Sequence, residues 1–248
     1  MGHMPVRGEP IPVKFLTAEW RSLALLNYAA DPSLLRARVP RGTELDDWNG
    51  ITYLSLVGFL FLRTRIFGVT APFHQRFLEV NLRFYVRRKT AEGWCRGVVF
   101  IKEIVPQWTT AVLARMLYHE NYVCLPMRHT VTGHSTEYCW KLKDEWNTLS
   151  VCDGDTAALP AAGSREEFIT EHYWGYTVQP DSGTLEYRVE HPRWLVRRAA
   201  GASFNGNARD LYGADLARVL ANPVDSALLA DGSAVTVFRG QRLVLPDH

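Results

Sequence analysis

The chain has 248 residues, a length that fits one large domain or two small ones and can bury most of its apolar surface. Its hydrophobic content of 47% and charged content of 22% lie near the averages of globular proteins, which excludes disordered, collagenous and coiled-coil classes. The 28 Lys+Arg against 26 Asp+Glu give a net charge of only +2 without a long block of one sign, so nucleic acid is not an expected partner.

Cysteine usage and apolar runs indicate the compartment. Four cysteines without a C-x-x-C pair or a signal-peptide pattern predict reduced thiols in a cytoplasmic protein. The longest apolar run, residues 53–62, is shorter than the roughly 20 residues that span a bilayer, so no membrane anchor is predicted. Residues 1–3 are interpreted as an expression scar, and residues 4–248 as a single domain.

The first half of the chain predicts two helices and three strands. Asp31 and Pro32 provide an N-cap and a first helical residue for a helix over 31–38. Residues 51–61 are rich in β-branched and aromatic side chains and predict a strand, interrupted or bulged at Gly58. Period-two alternation follows over residues 79–87, and residues 97–105 predict a second strand, with turn residues between them. These two strands predict a long antiparallel hairpin, which leads into a predicted helix over residues 108–118.

The second half predicts short strands and short helices. Strand-like runs fill residues 122–151, and the capping box at residues 164–167 begins a helix that runs toward Trp174. A strand over 184–189 and a helix over 208–220 follow. A closing hairpin joins residues 226–229 to 234–238 around Asp231-Gly232. Without regular βαβ alternation, these elements predict an α+β fold with a mainly antiparallel sheet that can close on itself.

The hairpin carries a conspicuous polar face. Every second residue of its first strand is polar: Glu79, Asn81, Arg83 and Tyr85. If Arg83 lies opposite Lys102, two cations share a face and depress the lysine pKa, as an amine nucleophile requires. If the register slips by one, Arg83 pairs with Glu103 and Lys102 moves to the other face. From the residues alone, a solvated face of a half-exposed sheet is the simpler interpretation.

Other groups of reactive residues give weaker evidence for a functional site. Four residues of the types that bind zinc are spaced five apart: Cys124, His129, His134 and Cys139. Structural zinc sites usually use closer pairs, so no metal is predicted. The aromatic-rich run at residues 171–176 suits a ligand pocket and a core equally. His74 and His191 stand at loop or strand edges, where histidine can act as an acid or base, although a surface role is favoured.

Several separated strings carry a family resemblance: residues 15–21, 55–59, 79–86 and 97–106, together with Tyr173-Trp174 and residues 187–194. Over residues 14–243 or so, they resemble the YqjF-like family of uncharacterised bacterial proteins. That family is similar to the acetoacetate decarboxylase superfamily, which implies a cone-shaped antiparallel β-barrel around a small-molecule cavity, flanked by helices. The polar strand face would then point inward.

The resemblance also implies chemistry. Acetoacetate decarboxylases and their relatives form a Schiff base between a desolvated lysine and a substrate ketone. Arg21 matches an arginine that helps to hold the carboxylate, and Glu103 matches the glutamate of an Arg-Glu pair, with Lys102 in the arginine's place. Thr109 and Thr110 occupy the positions of the lysine pair, so the usual nucleophile is missing.

The sequence therefore predicts a cytoplasmic protein that binds a small polar or aromatic molecule inside a barrel, without a cofactor or metal. The candidate ligand-binding residues are Arg21, Glu79, Asn81, Arg83, Tyr85 and Trp174. The alternative is a lyase that acts on a keto acid, with Lys102 as nucleophile or Glu103 as general base. A third hypothesis is a protein–protein interaction module using the eight tryptophans. The expected partner is a small molecule, with carboxylates among the candidates, and a homo-oligomer is left open.

Overall fold

Extended backbone dominates the computed structural model, which describes residues 13–70, 75–106, 121–133 and 135–244. The first eight strands are β1 (Lys14–Ala30), β2 (Glu44–Leu45), β3 (Thr52–Ile66), β4 (Val69–Thr70), β5 (Arg76–Thr90), β6 (Gly93–Val105), β7 (Tyr122–Cys124) and β8 (Met127–Val131). The others are β9 (Ser135–Leu142), β10 (Glu145–Cys152), β11 (Trp174–Val178), β12 (Thr184–Glu190), β13 (Val196–Arg198), β14 (Gly201–Asn205), β15 (Ser226–Phe238) and β16 (Gln241–Arg242). Within these ranges the helices are α1 (Pro32–Arg36), α2 (Arg165–Thr170), α3 (Ala208–Tyr212) and α4 (Ala214–Leu220).

The larger sheet closes into a ring in the order β15-β1-β3-β5-β6-β11-β12. The ring is completed where β12 pairs with β15, with Val189 opposite Val237 and Glu190 opposite Thr236. Neighbouring strands of the ring are antiparallel except β6 and β11. The predicted α+β fold with a mainly antiparallel, closing sheet is confirmed.

Each ring strand has an outer face and a lumen face. On the outer face, Leu82 and Phe84 of β5 belong to a core that includes Trp140 of β9 and Leu216 of α4. The smaller sheet, in the order β14-β10-β9-β8, therefore packs against the outside of the ring. The lumen face carries a second buried cluster to which Tyr85 of β5 belongs. Alternate residues of β5 consequently serve two different cores.

Gly58 does not interrupt its strand. It pairs in register with Val80 on β5, and β3 continues past it. A β-carbon at Gly58 would lie 2.6 Å from the ring of Tyr138, so glycine permits close packing of the smaller sheet on the ring. The register between β1 and β3 shifts at two other places, beside Ser22 of β1, which has a φ of 54°, and beside Arg63 of β3, which has a φ of 53°.

Three other boundaries differ from the sequence prediction. Residues 226–238 form one continuous strand, because Asp231-Gly232 is a local distortion opposite β1 and not a hairpin turn. The predicted helix over 208–220 is two helices, divided at Gly213 with a φ of 86°. Helix α2 ends at Thr170, short of Trp174. The predicted helix over 108–118 lies outside the described residues.

No helix in the described part of the chain is long and apolar enough to cross a membrane.

Candidate functional site

The polar side chains of β5 line the lumen. Glu79, Asn81 and Tyr85 are only 3%, 1% and 1% exposed, and Arg83 is half-buried. The interpretation of these residues as a solvated face is therefore wrong. Closure of the ring is the physical reason, because it leaves this face of β5 inside the molecule.

The register between β5 and β6 is set by a bulge that neither sequence alternative included. Arg83 lies opposite Phe100 and Asn81 opposite Glu103, with a register shift between them. Arg83 therefore faces neither Lys102 nor Glu103. Glu103 shares the lumen face of Asn81 and is 2% exposed. Lys102 lies opposite Leu82, a residue of the outer core, so the structure separates these two candidates onto different faces.

The other lysines lie away from the lumen. Lys14 and Lys89 are exposed on β1 and β5. Lys141 belongs to β9 of the smaller sheet, and Lys143 beside it is bonded to Asp210. All five lysines of the sequence fall in the described ranges; Lys102 lies on the outer face by its register, and the other four are exposed or belong to the smaller sheet.

Arg83 brings a guanidinium group to the lumen face of β5. Its guanidinium carbon lies 5.8 Å from the centre of the Tyr85 ring. Its Nε atom is buried and has no hydrogen-bond partner among the described residues. The Oδ1 atom of Asn81 is also buried without a hydrogen-bond partner among the described residues, whereas its Nδ2 atom donates to Glu79 at 3.1 Å. Arg83 thus offers the lumen an unpaired donor, and Asn81 offers it an unpaired acceptor, as far as the described residues show.

A buried hydrogen-bond chain fixes Tyr85. Ser55 Oγ donates to Asn27 Oδ1 at 2.6 Å, and Tyr85 Oη lies 2.7 Å from Ser55 Oγ. Because the Ser55 proton is directed at an atom that only accepts, the Tyr85 hydroxyl donates to Ser55. Asn27 Nδ2 donates in turn to Ser226 at 3.1 Å. Tyr85 is therefore held as a rigid wall, with its phenolic proton already bonded.

Aromatic rings surround His191 at another part of the lumen. The imidazole stacks on Trp194 at 4.0 Å and lies 4.8 Å from Tyr173, with Trp20 at 6.3 Å. Nδ1 of His191 lies 2.9 Å from the carbonyl oxygen of Pro192. Burial lowers the pKa of His191, and the positive charge of Arg83 adds to this effect. The sequence analysis favoured a surface role, since only its place before a proline set this histidine apart.

A second histidine is completely enclosed. His172 Nε2 lies 3.1 Å from Asp46 Oδ2, which also accepts from Arg96 Nε at 2.6 Å. Burial opposes ionisation of Asp46, but hydrogen bonds from His172 and Arg96 outweigh it and hold the pKa of this carboxyl below its usual range. Burial lowers the pKa of His172 to about 4. The His172 ring lies 4.7 Å from that of Tyr85, so this buried pair supports the wall of the lumen from behind.

Two predicted residues lie elsewhere. Arg21 follows Trp20 on the opposite face of β1 and donates to Glu19, with Nη2 2.7 Å from Oε2. Trp174 packs against the outer core, whereas its neighbour Tyr173 contacts His191.

Several further candidates cannot be placed. Thr109, Thr110, His74 and His134 lie outside the described residues. Within the described ranges, no group of three or more acidic, histidine or cysteine side chains is arranged to hold a metal ion.

Solved structures place this architecture among acetoacetate decarboxylase-like folds. Acetoacetate decarboxylase from Legionella pneumophila has a TM-score of 0.69 and 13% identity, covering 97% of this chain and 92% of that one. The enduracididine biosynthesis enzyme MppR complexed with pyruvate has a TM-score of 0.65 and 12% identity, covering 96% and 93%. An acetoacetate decarboxylase-like enzyme from Sphingomonas wittichii has a TM-score of 0.63 and 13% identity, covering 93% of each chain. At these identities the likeness shows the fold alone.

Sequence comparison gives the family. The profile of DUF2071, a family of uncharacterized conserved proteins, matches residues 17–234, so the chain belongs to this family. The uncharacterized protein YqjF of Bacillus subtilis is 27% identical over 213 residues, which cover 84% of this chain and 85% of YqjF. The predicted resemblance is confirmed.

Proposed function

We propose that this protein binds a small carboxylate, such as a 2-oxo acid, inside the ring without forming a covalent bond to it. Arg83 is the observation that carries the proposal. A half-buried guanidinium whose Nε lacks a partner among the described residues is costly until an anion is supplied. A carboxylate fits this group because it accepts two parallel N–H bonds from a guanidinium.

Other lumen residues define the rest of the ligand. The unpaired Oδ1 atom of Asn81 suits a hydroxyl or amide donor on the ligand. The rings of Trp20 and Trp194, 6.3 Å apart, offer an apolar wall. Tyr85 contributes a fixed surface beside Arg83. These features favour a molecule of a few carbon atoms with one anionic end.

Two further facts support a small 2-oxo acid bound non-covalently. MppR, which has the same fold, has been solved with pyruvate. Lys102 lies on the outer face by its register, and Thr109 and Thr110 stand where the resemblance leads one to expect lysines. An imine requires an amine at the bound ketone, so these positions favour recognition by charge and hydrogen bonds.

The decisive experiment is calorimetric titration of pyruvate into wild type, Arg83→Gln and Arg21→Gln, with pyruvamide as the neutral analogue. Arg21 is the matched control because it is an arginine bonded to Glu19 on the opposite face. We expect pyruvate to bind wild type and Arg21→Gln alike, and Arg83→Gln to bind it about tenfold to a hundredfold more weakly. Equal binding to Arg83→Gln, or equal binding of pyruvamide, would contradict the proposal.

A lyase acting on a keto acid is the second candidate, and the inward position of Glu103 favours it. Glu103 is buried opposite Asn81 on the lumen face, where a carboxylate could act as a general base. Lys102 no longer supports this alternative.

Covalency can be tested directly with borohydride trapping. We expect wild type and Lys102→Ala to show no substrate-sized mass increase after borohydride treatment with pyruvate or β-keto acids. The physical reason is that Lys102 lies on the outer face, and the other four lysines are exposed or belong to the smaller sheet. The measurement is intact mass, and an adduct that disappears in Lys102→Ala would restore the Schiff-base mechanism.

A further inference from the structure

We infer that His191 is the proton-transfer group of the lumen, removing a proton from the carbon next to the carbonyl of a bound 2-oxo acid. The inference rests on the proposed function, because it requires the acid to be held by Arg83. It extends that function from binding to a reaction, the interconversion of the ketone and its enolate. His191 is one of the two histidines, with His74, for which the sequence allowed an acid–base role while favouring a surface role.

The hydrogen bond of His191 fixes its tautomer. Nδ1 lies 2.9 Å from the carbonyl oxygen of Pro192, and this oxygen can only accept. In the neutral imidazole, Nδ1 therefore carries the proton and Nε2 carries the lone pair. The structure gives Nε2 no hydrogen-bond partner among the described residues. This is the arrangement in which a histidine can accept a proton from a ligand.

Aromatic packing holds the ring in place. His191 and Trp194 stack at 4.0 Å with an interplanar angle of 14°, and Trp194 Nε1 is anchored to Ser233 Oγ at 2.8 Å. The Tyr173 ring lies 4.8 Å from the His191 ring, and the Tyr173 hydroxyl donates to Glu171. The imidazole therefore has little freedom to rotate, and apolar surface limits the water around it.

Burial keeps His191 neutral near pH 7. It lowers the pKa of His191 more than the hydrogen bond with Pro192 and the negative charge of Glu171 raise it, and the positive charge of Arg83 lowers the pKa further. Arg193 Nε lies 3.7 Å from Glu171 Oε2, and its positive charge reduces the effect of Glu171 on the His191 pKa. A neutral imidazole is the form that accepts a proton. His172 is a poorer base, because burial lowers its pKa further, to about 4.

The proposed step is balanced without a co-reactant. With pyruvate, the C3–H bond breaks, the proton moves to His191 Nε2, and the electron pair moves through C2 to give an enolate oxygen. Trp20 Nε1 is a buried donor without a partner among the described residues, and its ring lies 6.3 Å from that of His191. It would donate to the developing oxyanion. The reverse step returns a proton to C3, or a deuteron when the imidazolium has exchanged with D2O.

The experiment follows the methyl protons of pyruvate by proton NMR in D2O, with saturation-transfer signals reporting binding in the same samples. The variants are His191→Asn, whose amide retains a donor toward Pro192, and His191→Gln. His129→Gln is the matched control, because His129 stacks on Tyr138 of the smaller sheet at 4.4 Å. We expect wild type and His129→Gln to exchange the methyl protons faster than buffer. Both His191 variants should bind pyruvate and exchange it about a hundredfold more slowly.

The pH dependence of the exchange rate distinguishes proton transfer by His191 from a purely structural role. The exchange rate of wild type should rise with pH through a pKa below 6.5 and then level, because only neutral His191 accepts the proton. Wild-type binding without exchange, or exchange in both His191 variants at the wild-type rate, would overturn the inference and leave the binding proposal standing. Absence of pyruvate binding to wild type would instead overturn the proposed function.

Discussion

At the scale of single residues, the lumen combines side chains whose hydrogen bonds are complete with side chains that keep an unpaired atom among the described residues. Tyr85 is bonded through Ser55 to Asn27, so it serves as a wall and not as an acid. Arg83 and His191 differ from it, because each keeps a nitrogen without a partner in the described part of the chain. This contrast is why the two proposals rest on these two residues.

The buried pair of His172 and Asp46 predicts how stability depends on pH. Unfolded chains protonate His172 near pH 6.5, whereas the folded protein keeps it neutral down to about pH 4. The unfolded state therefore binds more protons in this window, and stability decreases as the pH falls through it. The lowered pKa of His172 accounts for a loss of about 3 kcal/mol in the free energy of unfolding across this window. We expect the free energy of unfolding, measured with urea at pH 7 and pH 4, to decrease less in His172→Gln than in wild type.

An equal decrease in the two proteins would contradict the assignment of this pH dependence to His172. Asp46 acts in the same direction, because its pKa is lowered in the folded state and its stabilising effect is lost as it protonates. Its titration falls below pH 3.8, outside the window in which His172 dominates.

At the scale of elements, the alternation of polar and apolar residues predicted the β5–β6 hairpin, whereas the local turn signal at Asp231-Gly232 did not predict where the chain reverses. The hairpin of β5 and β6 was predicted because period two is visible in sequence. The Asp231-Gly232 signal correctly identified a residue of positive φ, since Gly232 has a φ of 81°. That conformation lies within a continuous strand beside the backbone of Trp20, because pairing with β1 outweighs the local preference. A turn signal reports a backbone angle and does not determine where the chain reverses.

The candidate site was predictable in its residue types but not in its orientation. Glu79, Asn81 and Arg83 were identified because their alternation is visible. The inward direction follows from ring closure, which depends on the contact of β12 with β15, strands that lie far apart in sequence from β5. The bulge before Glu103 had no signal in the residue types, and it alone decides that Lys102 faces outward. His191 was underestimated because its stacking partners meet it only in the folded chain.

At the scale of the whole molecule, the smaller sheet supports the ring from outside. Tyr138 of β9 is completely buried, its ring lies against Gly58 of β3, and its hydroxyl donates to the carbonyl of Ser22 at 2.7 Å. Ser22 stands at the register shift of β1, close in sequence to Trp20. The Tyr138 side chain therefore contacts two strands of the ring, β1 and β3. We expect a change in its packing to alter the position of the lumen residues on these strands.

Gly58→Ala tests this coupling. The added β-carbon would lie 2.6 Å from Tyr138 Cγ and Cδ2, near the fixed base of a buried ring that cannot turn away. We expect a loss of about 1–3 kcal/mol in the free energy of unfolding measured with urea, because overpacking forces the two sheets apart. Gly201→Ala on β14 is the matched control, since nothing lies within 4 Å of its β-carbon, and its stability should stay near that of wild type. If Gly58→Ala were as stable as Gly201→Ala, the smaller sheet would not be seated on the ring through Tyr138. If stability fell while pyruvate affinity at low denaturant stayed unchanged, the support would be structural and the lumen independent of it.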